Sequence, residues 1–175
     1  MSAAATTPRV VSVNVGTATT VEWHGRNVTS AIWKSPVDAP VAIEHLALQG
    51  DEQADLRVHG GPDKAVYAYA VDDYTWWSAQ LGVPLGPGTF GENLTVAGFD
   101  VSRAVVGQEW EVGNAVLRVT QPRMPCFKLG MRMGDASFVD HSAPRCGPGR
   151  TCASCGPVAC APVMPWSPAP PPRTG

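Results

Sequence analysis

Residues 105–129 read VVGQEWEVGNAVLRVTQPRMPCFKL. Two runs in this stretch, Val105–Gly113 and Ala115–Thr120, are rich in β-branched and apolar residues, and Gly113–Asn114 supplies turn chemistry between them. The order Gly-Asn, the reverse of the commoner hairpin pair, predicts a connection slightly longer than two residues. The second run leads into Gln121–Lys128, predicted as a loop. There two prolines stiffen the approach to one cysteine, Cys126.

Outward from this hairpin the chain keeps the same grammar. VVSVNV (10–15) is a strand candidate, and Trp23–Trp33 alternates loosely as a hairpin region. Ser35–Pro40 holds two prolines and breaks the pattern. VAIEHLAL (41–48) is ambiguous between strand and helix, and Asp51–Asp63 is a polar, glycine-rich loop. AVYAYAV (65–71) suits a strand or the start of a helix. Asp72–Gln80 reads as a helix with Asp72 or Asp73 as N-cap, stopped by Gly82 and Pro84. Residues 84–91 form a Gly/Pro loop and residues 93–97 a strand. Short strands between many turns, in a chain with 18 Gly, 17 Pro and few aromatics, predict a mainly β fold.

The chain has 175 residues, 44% of them hydrophobic, which is enough for one domain with a core. Its formal net charge of −2 gives no global electrostatic case for a nucleic-acid polymer or an anionic membrane as partner. No run approaches the roughly 18 apolar residues of a membrane helix. Met1–Pro8 lacks the basic and apolar regions of a signal peptide. The expected location is therefore the cytoplasm, where thiols stay reduced.

Composition changes after Asp140. Residues 1–140 are expected to form the domain, and residues 141–175 a disordered Pro/Cys-rich tail. Cys146, Cys152, Cys155 and Cys160 include one C-x-x-C, but no second pair at ribbon spacing, so a zinc site is disfavoured. Read one base earlier, codons for residues 146–156 admit Arg-Pro-Gly, one further residue, then Tyr-Leu-Arg-Val-Leu-Arg. That string has strand periodicity, and it makes a frame slip near His141 the preferred reading of the tail.

Three constellations could carry chemistry. Around Cys126, Arg123 and Lys128 supply positive charge, and nearby cations stabilise a thiolate, the form that ligates metals. A buried structural cysteine beside two surface charges is equally open on these residues alone. Arg57–Tyr67 pairs Gly60 and Gly61, whose backbone can approach an anion closely, with the cations Arg57, His59 and Lys64. An ordinary solvated turn is the alternative. Gly88–Thr95 carries Glu92, a candidate acid/base group or partner for Arg123, and Asn93, a candidate donor. There the alternative is a loop running into a strand.

Taken in this order, HGGPDKAVYAY (59–69), GTFGENLT (88–95) and QPRMPCFKL (121–129) make the chain resemble the MOSC family, named from the C-terminal domain of molybdenum-cofactor sulfurases. The resemblance covers about Val10–Val139 and is closest to the stand-alone bacterial members. It implies a MOSC-type β-barrel with a few short helices, here lacking its native C-terminal strands. It implies a molybdenum cofactor (molybdopterin) and, as a family-level association, pyridoxal phosphate binding. For the stand-alone members it implies reduction of N-hydroxylated compounds, N-hydroxylated nucleobases among them.

Carried over residue by residue, Cys126 matches the metal-ligand cysteine. Arg57, His59, Gly60, Gly61, Asp63 and Lys64 match the Gly-Gly motif, Glu92 and Asn93 the Gly-Glu-Asn motif, and Arg123 and Lys128 flank the cysteine. The catalytic candidates are Cys126, His59 and Glu92, with His59 or Glu92 relaying the proton. Arg57, Gly60, Gly61, Asp63, Lys64, Asn93, Arg123 and Lys128 are the cofactor-binding candidates. The matching region has no nucleotide fingerprint after a strand and no spaced cysteine set, so electrons are expected from an external donor protein. Two other readings stay open: a cofactor or sulfur carrier without turnover, and an inactive truncated remnant.

Overall fold

The computed structural model describes residues 7–142 and 158–162. Among these described residues nine strands form: β1 (Arg9–Val15), β2 (Thr19–Trp23), β3 (Arg26–Ser30), β4 (Ser35–Val37), β5 (Val66–Ala70), β6 (Leu94–Ala97), β7 (Glu109–Val112), β8 (Ala115–Pro122) and β9 (Val158–Pro162). The helices are α1 (Val71–Leu81), α2 (Phe127–Met133) and α3 (Phe138–Ser142), with 3-10 turns at Pro62–Lys64 and Val101–Arg103. The mainly β expectation stands. Seven strands make one sheet in the order β4-β1-β6-β5-β9-β8-β7, while β2 and β3 pair separately. Among the described residues no pairing joins β4 to β7, so the expected barrel closure is not seen among them.

AVYAYAV resolves into strand first and helix second. β5 lies inside the sheet and is buried on both faces, parallel to β6 and antiparallel to β9. Period-two alternation sorts its side chains. Val66, Ala68 and Ala70 join an aliphatic core with Leu94, Val96, Leu117 and Val119. Tyr67 and Tyr69 join an aromatic layer with Tyr74, Trp77, Phe90 and Phe138. Each fully buried Val or Leu there contributes about 1.5–3 kcal/mol. α1 packs over the aromatic layer through Tyr74 and Trp77, and Trp77 Nε1 donates to the Tyr69 hydroxyl at 3.0 Å.

Several local expectations are corrected. Val112 pairs with Ala115, so the Gly113–Asn114 connection is a two-residue turn, made possible by Gly113 at φ 64°. The N-cap of α1 is Ala70, without a side-chain bond. Asp72 and Asp73 sit in the first turn, where carboxylates still favour the helix dipole. Ser35–Pro40 yields β4, because an edge strand tolerates Pro36. Residues 41–48 are neither helix nor strand beyond an isolated Ile43–Leu48 bridge. Lys128 belongs to α2, which starts directly after Cys126.

β9 falls after the boundary drawn at residue 140, yet it lies between β5 and β8, antiparallel to both. Backbone pairing with two neighbours placed this segment in the sheet despite its weak strand composition. Residues 143–157 and 163–175, with Cys146, Cys152 and Cys155 and the zinc reading that rests on them, lie outside the described residues.

Candidate functional site

The hairpin that opens β8 also builds the site. β8 delivers Arg123 and Cys126 to the end of the sheet where the loop before β5 delivers His59 and Lys64. Thr120 Oγ1 donates to the Asp63 carbonyl at 2.6 Å and Gln121 Nε2 to the same oxygen at 3.4 Å, which ties the two loops together. A cleft opens between them. His59, Lys64, Arg123, Cys126 and Lys128 line it together with the buried Lys34, Tyr67 and Asn93 and the carboxylate of Asp51. An adjoining concavity shares His59, Lys64, Arg123 and Cys126 and adds Val58, Met124 and Pro125.

Cys126 is a free, half-buried thiol. It is the N-cap residue of α2 in extended conformation (φ −134°, ψ 170°), but its side chain makes no capping bond. The helix therefore leaves the sulfur available to the cleft. The Arg123 guanidinium lies 4.5 Å from the centre of the Tyr67 ring, a cation–π contact that fixes the cation beside the thiol. Burial holds the Tyr67 hydroxyl well above its usual range, so it stays protonated. Burial, then the positive charges of Lys128 and Arg123, lowers the pKa of His59, so the imidazole is neutral at neutral pH.

Sequence reasoning missed the far wall. The Lys34 ammonium and Asp51 carboxylate form a buried ion pair. Asp51 Oδ1 also accepts the Gly16 N–H at 2.9 Å, and Asp51 Oδ2 accepts Asn93 Nδ2 at 2.8 Å. Burial lowers the Lys34 pKa more than the attraction of Asp51 raises it, and the charge of Arg123 adds to the lowering. A lysine in the apolar run before Pro36 was the available signal. Its partner lies 17 residues away, beyond any local pattern. Gln53 was also missed. It accepts the Gly61 N–H at 2.9 Å and donates to the carbonyls of Lys64 (3.1 Å) and Leu46 (2.6 Å).

The predicted residues divide. Cys126, His59, Lys64, Arg123, Lys128 and Asn93 are brought together on the cleft. Asn93 works mainly as a brace, because its Oδ1 accepts the Tyr67 N–H at 3.1 Å while its Nδ2 holds Asp51. Arg57 is exposed and pairs with Asp55 at 3.7 Å, outside the cleft lining. Asp63 is exposed, and its carbonyl serves the two-loop tie. The Gly61 N–H is committed to Gln53. A Cβ on Gly60 would sit 2.3 Å from Gln53 Oε1, so the paired glycines let the Gln53 side chain approach closely.

Glu92 is fully buried and does not line the cleft. Its Oε1 accepts from the Tyr74 hydroxyl, from the Gly88 N–H at 2.7 Å and from Thr95 Oγ1 at 2.7 Å, and its Oε2 accepts the Phe90 N–H at 3.2 Å. These four bonds run to its own loop, β6 and α1, and none of them involves Arg123. The carboxylate organises the 88–91 loop under α1. Burial and then the Glu92 charge keep the Tyr74 hydroxyl protonated.

Among the described residues no group of three or more His, Cys, Asp and Glu side chains is placed to hold a metal ion. A metal held at Cys126 would need most of its ligands from outside this donor set. A metal carried by an anionic organic cofactor fits this donor set, since one soft thiol sits among cations.

The fold and cleft define a mainly β domain with a cation-lined cleft that carries a free thiol. The chain belongs to the MOSC domain family, whose model matches residues 55–154, more than half of the chain and past the boundary drawn at residue 140. It is 42% identical over 130 residues to YflK of Bacillus subtilis, covering 74% of this chain and 59% of that protein. A Gibberella moniliformis protein called "Reductase" is 38% identical over 114 residues, which are 62% of this chain and 20% of that protein. The crystal structure of YiiM from Geobacillus stearothermophilus superposes with a TM-score of 0.68 at 27% identity, covering 90% of this chain and 69% of that one. The chain thus spans well under two thirds of the length of the relatives YflK and "Reductase". Among the described residues no helix is long and apolar enough to cross a membrane.

Proposed function

We propose that this chain holds a molybdenum–pterin cofactor through Cys126 and reduces N-hydroxylated compounds, N-hydroxylated nucleobases among them. The observation that carries the reading is the uncommitted Cys126 thiol on a cleft shared with His59, Lys64, Arg123 and Lys128. Membership of the MOSC family and the likeness to a protein called "Reductase" support it.

The reaction R–NH–OH + 2 H⁺ + 2 e⁻ → R–NH₂ + H₂O needs a two-electron centre, a proton path and a place for an anionic cofactor. The cofactor, when bound, supplies the redox chemistry. Lys64, Arg123 and Lys128 supply charge for its phosphate, with Arg123 pre-positioned by the Tyr67 ring. His59, neutral and half-buried on the cleft, carries protons between solvent and the reacting nitrogen or oxygen. The Lys34–Asp51–Asn93 wall sets the shape and charge of the inner cleft. An external protein donates the electrons.

The test is elemental analysis of molybdenum and zinc in the full chain and in Cys126→Ser, both made in cells that synthesise the cofactor. Turnover of an N-hydroxylated nucleobase with dithionite is then measured. Molybdenum in the parent alone, with turnover, is the expected result. Molybdenum without turnover favours a carrier role, and molybdenum in neither protein refutes the proposal.

A further inference from the structure

The loop that carries His59 and Lys64 to the cleft is neither strand nor helix between Leu56 and Gly61. Such a loop holds its side chains only as firmly as it is tied to its surroundings. One tie comes from β8, whose Thr120 and Gln121 side chains donate to the Asp63 carbonyl. The other is a single side chain, Gln53.

Gln53 Oε1 accepts the Gly61 N–H at 2.9 Å, and Nε2 donates to the carbonyls of Lys64 at 3.1 Å and Leu46 at 2.6 Å. These partners fix the orientation of the amide. Turned over, it would set a donor against the Gly61 N–H and an acceptor against two carbonyls. Glutamate lacks the donors, asparagine is one methylene short, and leucine makes none of the three bonds. The room for the amide comes from Gly60, where a Cβ would also lie 3.0 Å from Leu56 Cδ2.

The base of Gln53 is anchored in turn. The Glu52 N–H donates to the Gly16 carbonyl at 2.9 Å, and Glu52 Oε2 accepts the Ala18 N–H at 2.6 Å. Asp51 Oδ1 accepts the Gly16 N–H at 2.9 Å, and Gly16 directly follows β1. Asp51 and Glu52, the carboxylates beside Gln53 on the cleft lining, thus each hold a backbone N–H. A continuous path of bonds runs from the end of β1 through residues 51–53 to the loop that carries His59 and Lys64.

We infer that Gln53 is a positioning residue for the proposed reaction, holding Gly61 and Lys64 so that His59 and Lys64 stand at the cleft. The inference rests on the proposed reductase reading and adds a residue from outside its three motifs. Gln53 borders the cleft, but both ends of its amide are bound to backbone groups, so it acts through His59 and Lys64.

The experiment compares the full chain with two variants. Gln53→Leu removes all three bonds, while Gly60→Ala leaves Gln53 in place and crowds its amide. Three quantities are read: hydrogen exchange at the Gly61 amide, NMR titration of the His59 ring, and dithionite-driven turnover of an N-hydroxylated nucleobase per bound molybdenum. In both variants the Gly61 amide should exchange at least about tenfold faster. The His59 pKa should move up toward its ordinary value of 6.5 as the ring gains solvent. The kcat should fall about 10–100-fold with KM changed less than about twofold, because a misplaced proton carrier slows the chemical step without weakening substrate binding. An unchanged Gly61 exchange rate overturns the inference. So does faster Gly61 exchange with His59 titration and kcat at parent values, since that marks a brace for stability alone. If the parent does not turn over but His59 shifts in both variants, the reductase reading fails and the positioning of His59 by Gln53 stands. Turnover in the parent, with kcat and His59 titration unchanged in both variants, does the reverse.

Discussion

Replacing Glu92 by glutamine tests what the Gly-Glu-Asn motif is for. The carboxylate is fully buried and accepts four hydrogen bonds, three on Oε1 and one on Oε2. Glutamine keeps the shape but has one acceptor and one donor end. In the better orientation its carbonyl faces Tyr74, Gly88 and Thr95, and its amide meets the Phe90 N–H donor to donor. Leaving that N–H unpaired costs about 1–3 kcal/mol, and the other bonds lose their charge assistance, so the total is about 2–4 kcal/mol. For a domain of this size that lowers the melting midpoint by about 4–15 °C. Urea denaturation and thermal melts, monitored by the tryptophan signal of α1, read the effect. If dithionite-driven turnover per folded, metal-loaded molecule stays near the parent value, Glu92 is a structural residue. A stability change below about 0.5 kcal/mol, with activity lost, refutes this reasoning and restores Glu92 as a proton carrier.

Gly88→Ala should cost at least about 2 kcal/mol, because the residue sits at φ +84° and its Cβ would lie 2.5 Å from the Lys34 carbonyl oxygen. Gly113→Ala, at φ +64° in open space, should cost only about 1–2 kcal/mol, so equal losses in denaturant melts would contradict the packing argument. His59 has a folded-state pKa below its ordinary value of 6.5, so the unfolded chain binds the extra proton first as pH falls. Stability is therefore retained above pH 6.5 and falls progressively below it, and His59→Gln should flatten that slope in melts recorded across the acid range. A chain ending at Ser142 lacks β9, which leaves β5 and β8 without their shared neighbour; it should lose its cooperative transition, and an unchanged melting midpoint would refute the placement of β9.

The parts of this fold legible in the sequence are those fixed within a few residues. VVSVNV announces β1, and the Asp72–Gln80 helix follows from local pattern and its end from the left-handed Gly82, though its N-cap does not. The Cys126 loop was readable because prolines, cations and a thiol are adjacent in sequence. The Lys34–Asp51 pair was not readable, since neither residue carries local information about the other. Asn93 was seen as a site residue, but its role as a brace depends on Asn14, Asp51 and Tyr67 meeting around it. The placement of Glu92 was hidden for the same reason. A carboxylate in a glycine-rich loop has the same local signature on a cleft or under a helix, and only the arrival of Tyr74 from α1 decides which.

The tail carries the sharpest conflict between local and non-local information. Nothing in VACAP distinguishes a strand from a coil, and Pro162 gives up a backbone donor. β5 nevertheless presents one flank to β6, and β8 presents one flank to β7, so each has an open side facing the same gap. Unpaired backbone at the edge of a buried strand is costly, and any extended segment within reach lowers that cost regardless of its side chains. The register runs from Val66 through Cys160 to Val119, so one short strand links the motif before β5 to the motif after β8. The two halves of the Cys126 cleft are thus coupled through a segment whose own sequence says almost nothing about structure. The integrity of the site depends on the backbone of residues 158–162, even though no side chain from that segment is needed to explain the chemistry.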